Sequence, residues 1–232
     1  SLNTRNPDVF QHRLRGGSRP GLAQILPPRA SDDPPSTEVT TQTIEFTVTS
    51  DLEMDSASPT TNQEGGNLGV GKTNFAGGQI RHSLLRFNMS MIPAGATITV
   101  ASLTMYCTKS GNSESALLQR IVRTDWSPTQ ATWNVYKTAN NWTTAGCGND
   151  GADYTSTDQV AWTFPTLAGL KTITGLKTLS QDALDNRSGN LHIVLRAVDE
   201  TVLNHYTVYR GLETSGGSQP PAKLSVTYTT PA

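Results

Sequence analysis

The chain has 232 residues, 35% of them hydrophobic and only 16% charged, with 18 basic against 19 acidic side chains. That length supports one sizeable core, and the abundance of Thr, Ser, Asn and Gly fits strands and turns better than helices. No apolar run approaches the ~20 residues needed to cross a bilayer, and the first residues lack a signal-peptide apolar stretch, so no membrane is expected as partner. No nucleic acid is expected as partner either.

Residues 1–41 read as an extended, basic arm ending in a Pro-rich link. Arg5, Arg13, Arg15, Arg19 and Arg29 face a single acid, Asp8, within residues 1–30, so the remaining chain is net negative. Arginine suits bidentate contacts to carboxylate or phosphate. Apolar residues are spaced among these cations, which a solvated tail would not need. Phe10, Arg13, Arg15, Arg19, Leu22 and Ile25 are therefore the expected anchors on a partner protein. The link SDDPPST (31–37) resists both helix and sheet, because proline removes backbone donors.

Residues 42–232 carry the strand signals. TIEFTVTS (43–50) alternates, with Ile44, Phe46 and Val48 on one face. HSLLRFNMS (82–90) sets Leu85, Phe87 and Met89 against Leu84 and Arg86. In TITVASLTMYC (97–107) the apolar phase changes, which predicts a bulge near Ala101. Further strands are expected at 116–123, 160–164, 191–198, 205–210 and 223–229, and one short helix at 176–186, with Gly189 beyond its end. About eight strands joined by Gly/Asn/Ser turns predict an all-β, antiparallel, two-sheet jelly-roll sandwich.

Catalytic constellations are not evident, and the chain reads as a protein other than an enzyme. His12, His82, His192 and His205 have no metal-ligand spacing. His192 and His205 fall on strands, where a structural histidine is expected. GNLGVGKT (66–73) matches the letters of a phosphate loop but lacks the strand before it and the helix after it. Cys107 and Cys147 are read as unpaired thiols, since a bridge requires the loop around Cys147 to fold back on a strand. Asp150, Asp153 and Asp158 form an acidic loop that offers oxygens to Ca²⁺, although an ordinary Asx-turn loop is the preferred reading. No cofactor is expected beyond such a structural ion. Trp126, Trp133, Trp142 and Trp162 crowd into one segment, either as a sugar-stacking platform or as a plug for the end of the sandwich.

WSPTQATWN (126–134) followed by NWTTAGCGND (141–150), with LLRF (84–87) and IPAGATI (92–98), resembles the DNRLRE-type domain over roughly residues 44–230. That family is a jelly-roll module associated with carbohydrate-binding modules, found in cell-surface and phage proteins. The resemblance implies that Trp126 and Trp133 are packing residues. Trp142, flanked by Asn141 and Thr143, is then the expected exposed tryptophan, joined by Tyr136 and Tyr154. RGGSRPGL (15–22) is similar to a segment near the start of phage tail and capsid-associated proteins. Together the two resemblances imply a bacteriophage virion protein, foremost a capsid decoration (cement) protein. Its arm would grip viral capsid or tail proteins and its body would form a homo-oligomer, a trimer. The alternative is a carbohydrate- or receptor-binding module that takes a host surface glycan.

Overall fold

The computed structural model describes residues 38–230. The arm residues Phe10, Arg13, Arg15, Arg19, Leu22 and Ile25 lie outside the described residues. Thirteen strands follow in chain order: β1 (Thr40–Thr47), β2 (Ser50–Asp55), β3 (Leu68–Lys72), β4 (Ile80–Asn88), β5 (Thr97–Lys109), β6 (Ser115–Ile121), β7 (Val135–Lys137), β8 (Asn140–Asn141), β9 (Tyr154–Thr163), β10 (Gly169–Thr174), β11 (Asn190–Ala197), β12 (His205–Tyr209) and β13 (Lys223–Thr230). One helix, α1 (Lys177–Asn186), lies between β10 and β11, close to its expected bounds. Leu176, Leu179 and Ala183 give it a buried stripe one and two turns apart.

All strand pairings are antiparallel. Strands β1, β13, β5 and β10 form one face and β2, β4, β11, β6 and β9 the other; β12 and β3 carry the hydrogen bonding round the corner, so one curled sheet makes both layers. The all-β sandwich expectation therefore holds. Between the layers pack Leu103, Met105 and Cys107 of β5, Leu85 and Phe87 of β4, and Ile193 and Leu195 of β11. The anticipated bulge is present, two residues earlier than expected: Thr227 pairs Val100 and Tyr228 pairs Ile98, leaving Thr99 unpaired. That extra residue turns Val100 outward, 58% exposed, and returns Ala101 to the core.

The second layer is apolar on both faces, which explains the runs LLRF and HIVL. Leu84, Val194, Leu52, Met54 and Ile121 point away from the sandwich core and form a second cluster with Trp126, Tyr136 and Trp142. Residues 122–153, containing the small β7–β8 hairpin, thus act as a third layer over that sheet. Burying these large side chains contributes about 1.5–3 kcal/mol each.

The expected exposed platform of Trp142, Tyr136 and Tyr154 does not form. Trp142 is 4% and Tyr136 8% exposed, so they do not present a surface platform. Tyr154 is half-buried, with the Arg196 guanidinium 4.8 Å above its ring. The physical reason is the doubly apolar sheet beneath, which these rings cover; Trp142 also donates from its indole N–H to the Thr132 carbonyl at 3.0 Å. Trp126 is buried and Trp133 half-buried, as packing residues should be.

The acidic loop has a comparable role. Asp153 is fully buried and its carboxylate accepts the amide N–H groups of Thr143, Thr144 and Asn149 at 2.8, 2.9 and 3.1 Å, with Arg123 at 3.3 Å. These amides hold its pKa below the usual carboxylate value, against the opposing effect of burial, the largest single influence on it. Asp150 is exposed and accepts from the Ser156 amide and hydroxyl, a bond across the loop to a residue six positions on, where an Asx-turn would bond the amide two positions on. Asp158 is exposed on a residue with φ of 59°. No group of three or more His, Cys, Asp or Glu able to hold a metal occurs among the described residues. The three acids do not converge, so the Ca²⁺ reading gains no support from geometry.

Both cysteines are free and buried, Cys107 in the sandwich core and Cys147 in the outer cluster. GNLGVGKT also resolves as structure. Leu68–Lys72 is strand β3, and Gly71, at φ 102°, has no Cβ because one would collide with the His205 carbonyl of the neighbouring strand. After Lys72 comes a single 3-10 turn, Phe75–Gly77, in place of the helix a phosphate site needs.

Candidate functional site

The sheet register builds a polar cleft where the second layer is left uncovered by the third. On β4 and β11, Arg86 pairs with His192, so the two side chains share one face. The chain leaving β6 returns across this face and places Thr124, Asp125 and Trp126 on one side. The end of α1 supplies the opposite side through Asn186, Arg187 and Ser188, followed by Asn190 at the start of β11. The cleft is open to solvent and has a volume of about 630 Å³, within the range of small-molecule sites.

Inside the cleft the Arg86 guanidinium lies 4.6 Å from the Trp126 ring centre and donates to the Trp126 carbonyl at 2.7 Å. The His192 ring meets Trp126 edge-on, with centroids 6.2 Å apart. Three polar atoms here are buried and have no hydrogen-bond partner among the described residues: Arg86 Nε, Trp126 Nε1 and His192 Nδ1. An orphaned buried polar group costs ~1–3 kcal/mol, so three in one cleft form an unusual concentration.

The electrostatics point the same way. Among the described residues Arg86 has no carboxylate within ion-pair distance, and burial lowers its pKa from the usual guanidinium value. Burial is also the main cause that pushes His192 down to about 4, with the nearby positive charges of Arg86 and Arg187 adding to it. His192 is therefore neutral near pH 7, and one ring nitrogen carries hydrogen. Arg187 is engaged by Asp182 at 2.8 Å, and Asp125 by Lys137. The unbalanced charge of the cleft is thus that of Arg86.

Sequence reasoning singled out none of these residues as binding groups. Trp126 was expected to pack, which it does, while its buried N–H also lines the cleft. Arg86 was placed on the face opposite Leu85 and Phe87, and His192 was expected to be a hydrogen-bonded structural histidine; its Nδ1 has no such bond among the described residues. Their juxtaposition depends on the β4–β11 register. His205 Nδ1 lies 2.8 Å from Glu114 Oε2, close enough for an ion pair when protonated but outside hydrogen-bond geometry. His82 places Nδ1 2.6 Å from the Gly146 carbonyl and Nε2 2.6 Å from Glu200, pinning the outer layer to the sheet.

No curated protein matches this chain. The family model of carbohydrate-binding module family 96 matches residues 42–162, more than half of the chain, and spans β1 through nearly all of β9, including Arg86 and Trp126. His192 and Arg187 come from the part that follows, which completes both layers. On this match the chain belongs to carbohydrate-binding module family 96.

Proposed function

We propose that the chain is a non-catalytic module that binds a saccharide in the Arg86–Trp126–His192 cleft, and that the bound sugar carries an acidic group, a carboxylate or a sulfate. The observation that carries this reading is the convergence of unpartnered polar atoms around a guanidinium without a counter-ion. Two of the three are donors only, since Arg and Trp nitrogens accept nothing. A ligand that satisfies them must present acceptor oxygens, and a negative one also supplies the charge Arg86 lacks. Asn186 and Asn190, which offer both donors and acceptors, are suited to sugar hydroxyls at the rim.

Affinity electrophoresis through gels cast with polygalacturonate or with a neutral β-glucan tests this. Polygalacturonate should retard the protein, and Arg86→Gln should weaken that retardation at least ~10-fold, equivalent to the ~1.4 kcal/mol low end for a charged hydrogen bond. Equal retardation of Arg86→Gln and wild type, with unchanged circular dichroism, would overturn the assignment.

The basic arm supports a wider setting for the same module. In a phage particle, capsid or tail proteins would hold residues 1–41 while the sandwich reaches a host surface glycan, which keeps the anchoring role of the arm and replaces cementing by adsorption. Particles carrying a version without residues 1–37 should lack the module. Full occupancy by the truncated chain would remove the anchoring role.

A further inference from the structure

We infer that the open edge of the sandwich between β9 and β10 is a second saccharide site, distinct from the Arg86 cleft, which takes an uncharged sugar against Trp162. Among the described residues β9 pairs only with β6, and β10 only with β5, so each layer ends there without a further partner strand from those residues. The gap between the two edges holds a hollow of about 420 Å³ lined by Trp162, Phe164, Leu167, Lys171, Thr172 and Ser113. Trp162 is half-buried, propped at 5.4 Å by the edge-on Phe164 ring and at 5.8 Å by Tyr209. Its indole N–H is buried and has no partner among the described residues. Here again a polar atom is left for a ligand to satisfy.

The chemistry of the lining selects the occupant. A fixed aromatic ring and the exposed Leu167 side chain, 72% accessible, give an apolar surface for the C–H face of a sugar. The hydroxyls of Ser113, Thr163 and Thr172, the Lys171 ammonium and the indole N–H surround that surface with hydrogen-bonding groups for sugar hydroxyls. The one cation lining this hollow is the half-buried Lys171 ammonium, a flexible and strongly hydrated point charge unlike the planar guanidinium of the first cleft, so a negative charge is not required of the ligand. Ser113 sits just before the start of β6, whereas the segment bearing Trp126 leaves its other end; seven extended residues separate the two, about 23 Å. A polysaccharide that engages both sites gains avidity without any further contact.

Nitrogen–proton correlation spectra of the full chain separate this site from the first, because each site carries its own tryptophan indole signal, assigned with Trp126→Phe and Trp162→Phe. The probes are laminarihexaose, xylohexaose and mannohexaose for the neutral class, and tetragalacturonate for the acidic one. At least one neutral hexasaccharide should shift the Trp162 indole signal and leave that of Trp126 in place, while tetragalacturonate shifts Trp126. Leu167→Arg, at an exposed position, should abolish the Trp162 shift and keep the Trp126 response. A Trp162 signal unmoved by all three neutral probes at millimolar concentration overturns the second site, whatever Trp126 does. A wild-type dimer that Leu167→Arg converts to monomer in sedimentation, with no Trp162 response to sugar, overturns it as well and makes the edge a contact between copies.

Discussion

Arg86 and His192 stand opposite each other in the β4–β11 register, a cation beside an imidazole whose pKa is pushed down to about 4. Burial is the main cause, and the neighbouring guanidinium makes the imidazolium costlier still. Any ligand that neutralises Arg86 removes part of that penalty.

Binding of an acidic saccharide should therefore be coupled to proton uptake. When a carboxylate reaches Arg86, the His192 pKa rises from about 4 towards its ordinary value of 6.5. Between those limits the complex holds more protons than the free protein, and affinity increases as pH falls through that window. Calorimetry at pH 5.5 in buffers of different ionisation enthalpy reads the proton directly. Fractional uptake is expected for wild type and near-zero uptake for His192→Gln; identical uptake in both would show that His192 does not respond to the ligand.

The tryptophan-rich layer should behave as structure. Trp142→Ala opens a cavity over Leu84 and Val194 and is expected to cost ~3–5 kcal/mol of stability. Asp153→Ala strands three backbone amides and Arg123, and breaking such a buried charged network costs a similar ~3–5 kcal/mol. Urea titration should show both losses, and a chelator should leave the wild-type midpoint in place, because the Asp153 carboxylate is already filled by amide donors. A large shift with chelator would return the loop to an ion-binding role.

The sandwich was legible because its inner strands send apolar residues into the core at every second position, whatever their other face carries. In β11 and β13 every second residue enters the core, as do Leu85 and Phe87 of β4 and, beyond the bulge, residues 101–107 of β5, and the phase change in TITVASL marks that bulge. Strand β2 was missed because Asp51, Glu53 and Asp55 alternate with Leu52 and Met54; acids at alternate positions suggest solvent, yet all three are buried. Strand β3 was hidden by glycines that are there for the close approach of β12 and of the Glu53 side chain. The third layer was signalled by Leu84 and Val194 on the second face of their strands, since a sheet apolar on both sides must be covered on both. That signal makes Trp142 a covering residue. The Arg86 cleft was not legible at all, because its members lie far apart in sequence and meet only through strand pairing and the return of residues 124–126.

Asp51 and His192 should give stability–pH dependences of opposite sign that mask each other. Burial, the largest cause, raises Asp51 from 3.8 to about 7, helped by the charges of Glu213 and Glu64 and opposed by the Leu212 amide. The folded state therefore holds the Asp51 proton more tightly, and that stabilisation, full below 3.8, is lost as pH rises towards 7. His192 is the reverse: its folded pKa of about 4 lies below the unfolded 6.5, so its contribution is full above 6.5 and is lost as pH falls towards 4. At 1.36 kcal/mol per unit, the two amount to roughly 4 and 3 kcal/mol, acting in opposite directions over nearly the same interval. Asp51→Asn keeps an acceptor for the Leu212 amide, 2.7 Å away in the wild type, and removes only the titration. Relative to wild type, its unfolding free energy should fall as pH is lowered from 6.5 to 4, whereas that of His192→Gln should rise. Urea midpoints for the three proteins at half-unit intervals decide the matter. Parallel curves for wild type and Asp51→Asn would mean that the Asp51 carboxyl titrates alike in the folded and unfolded chain.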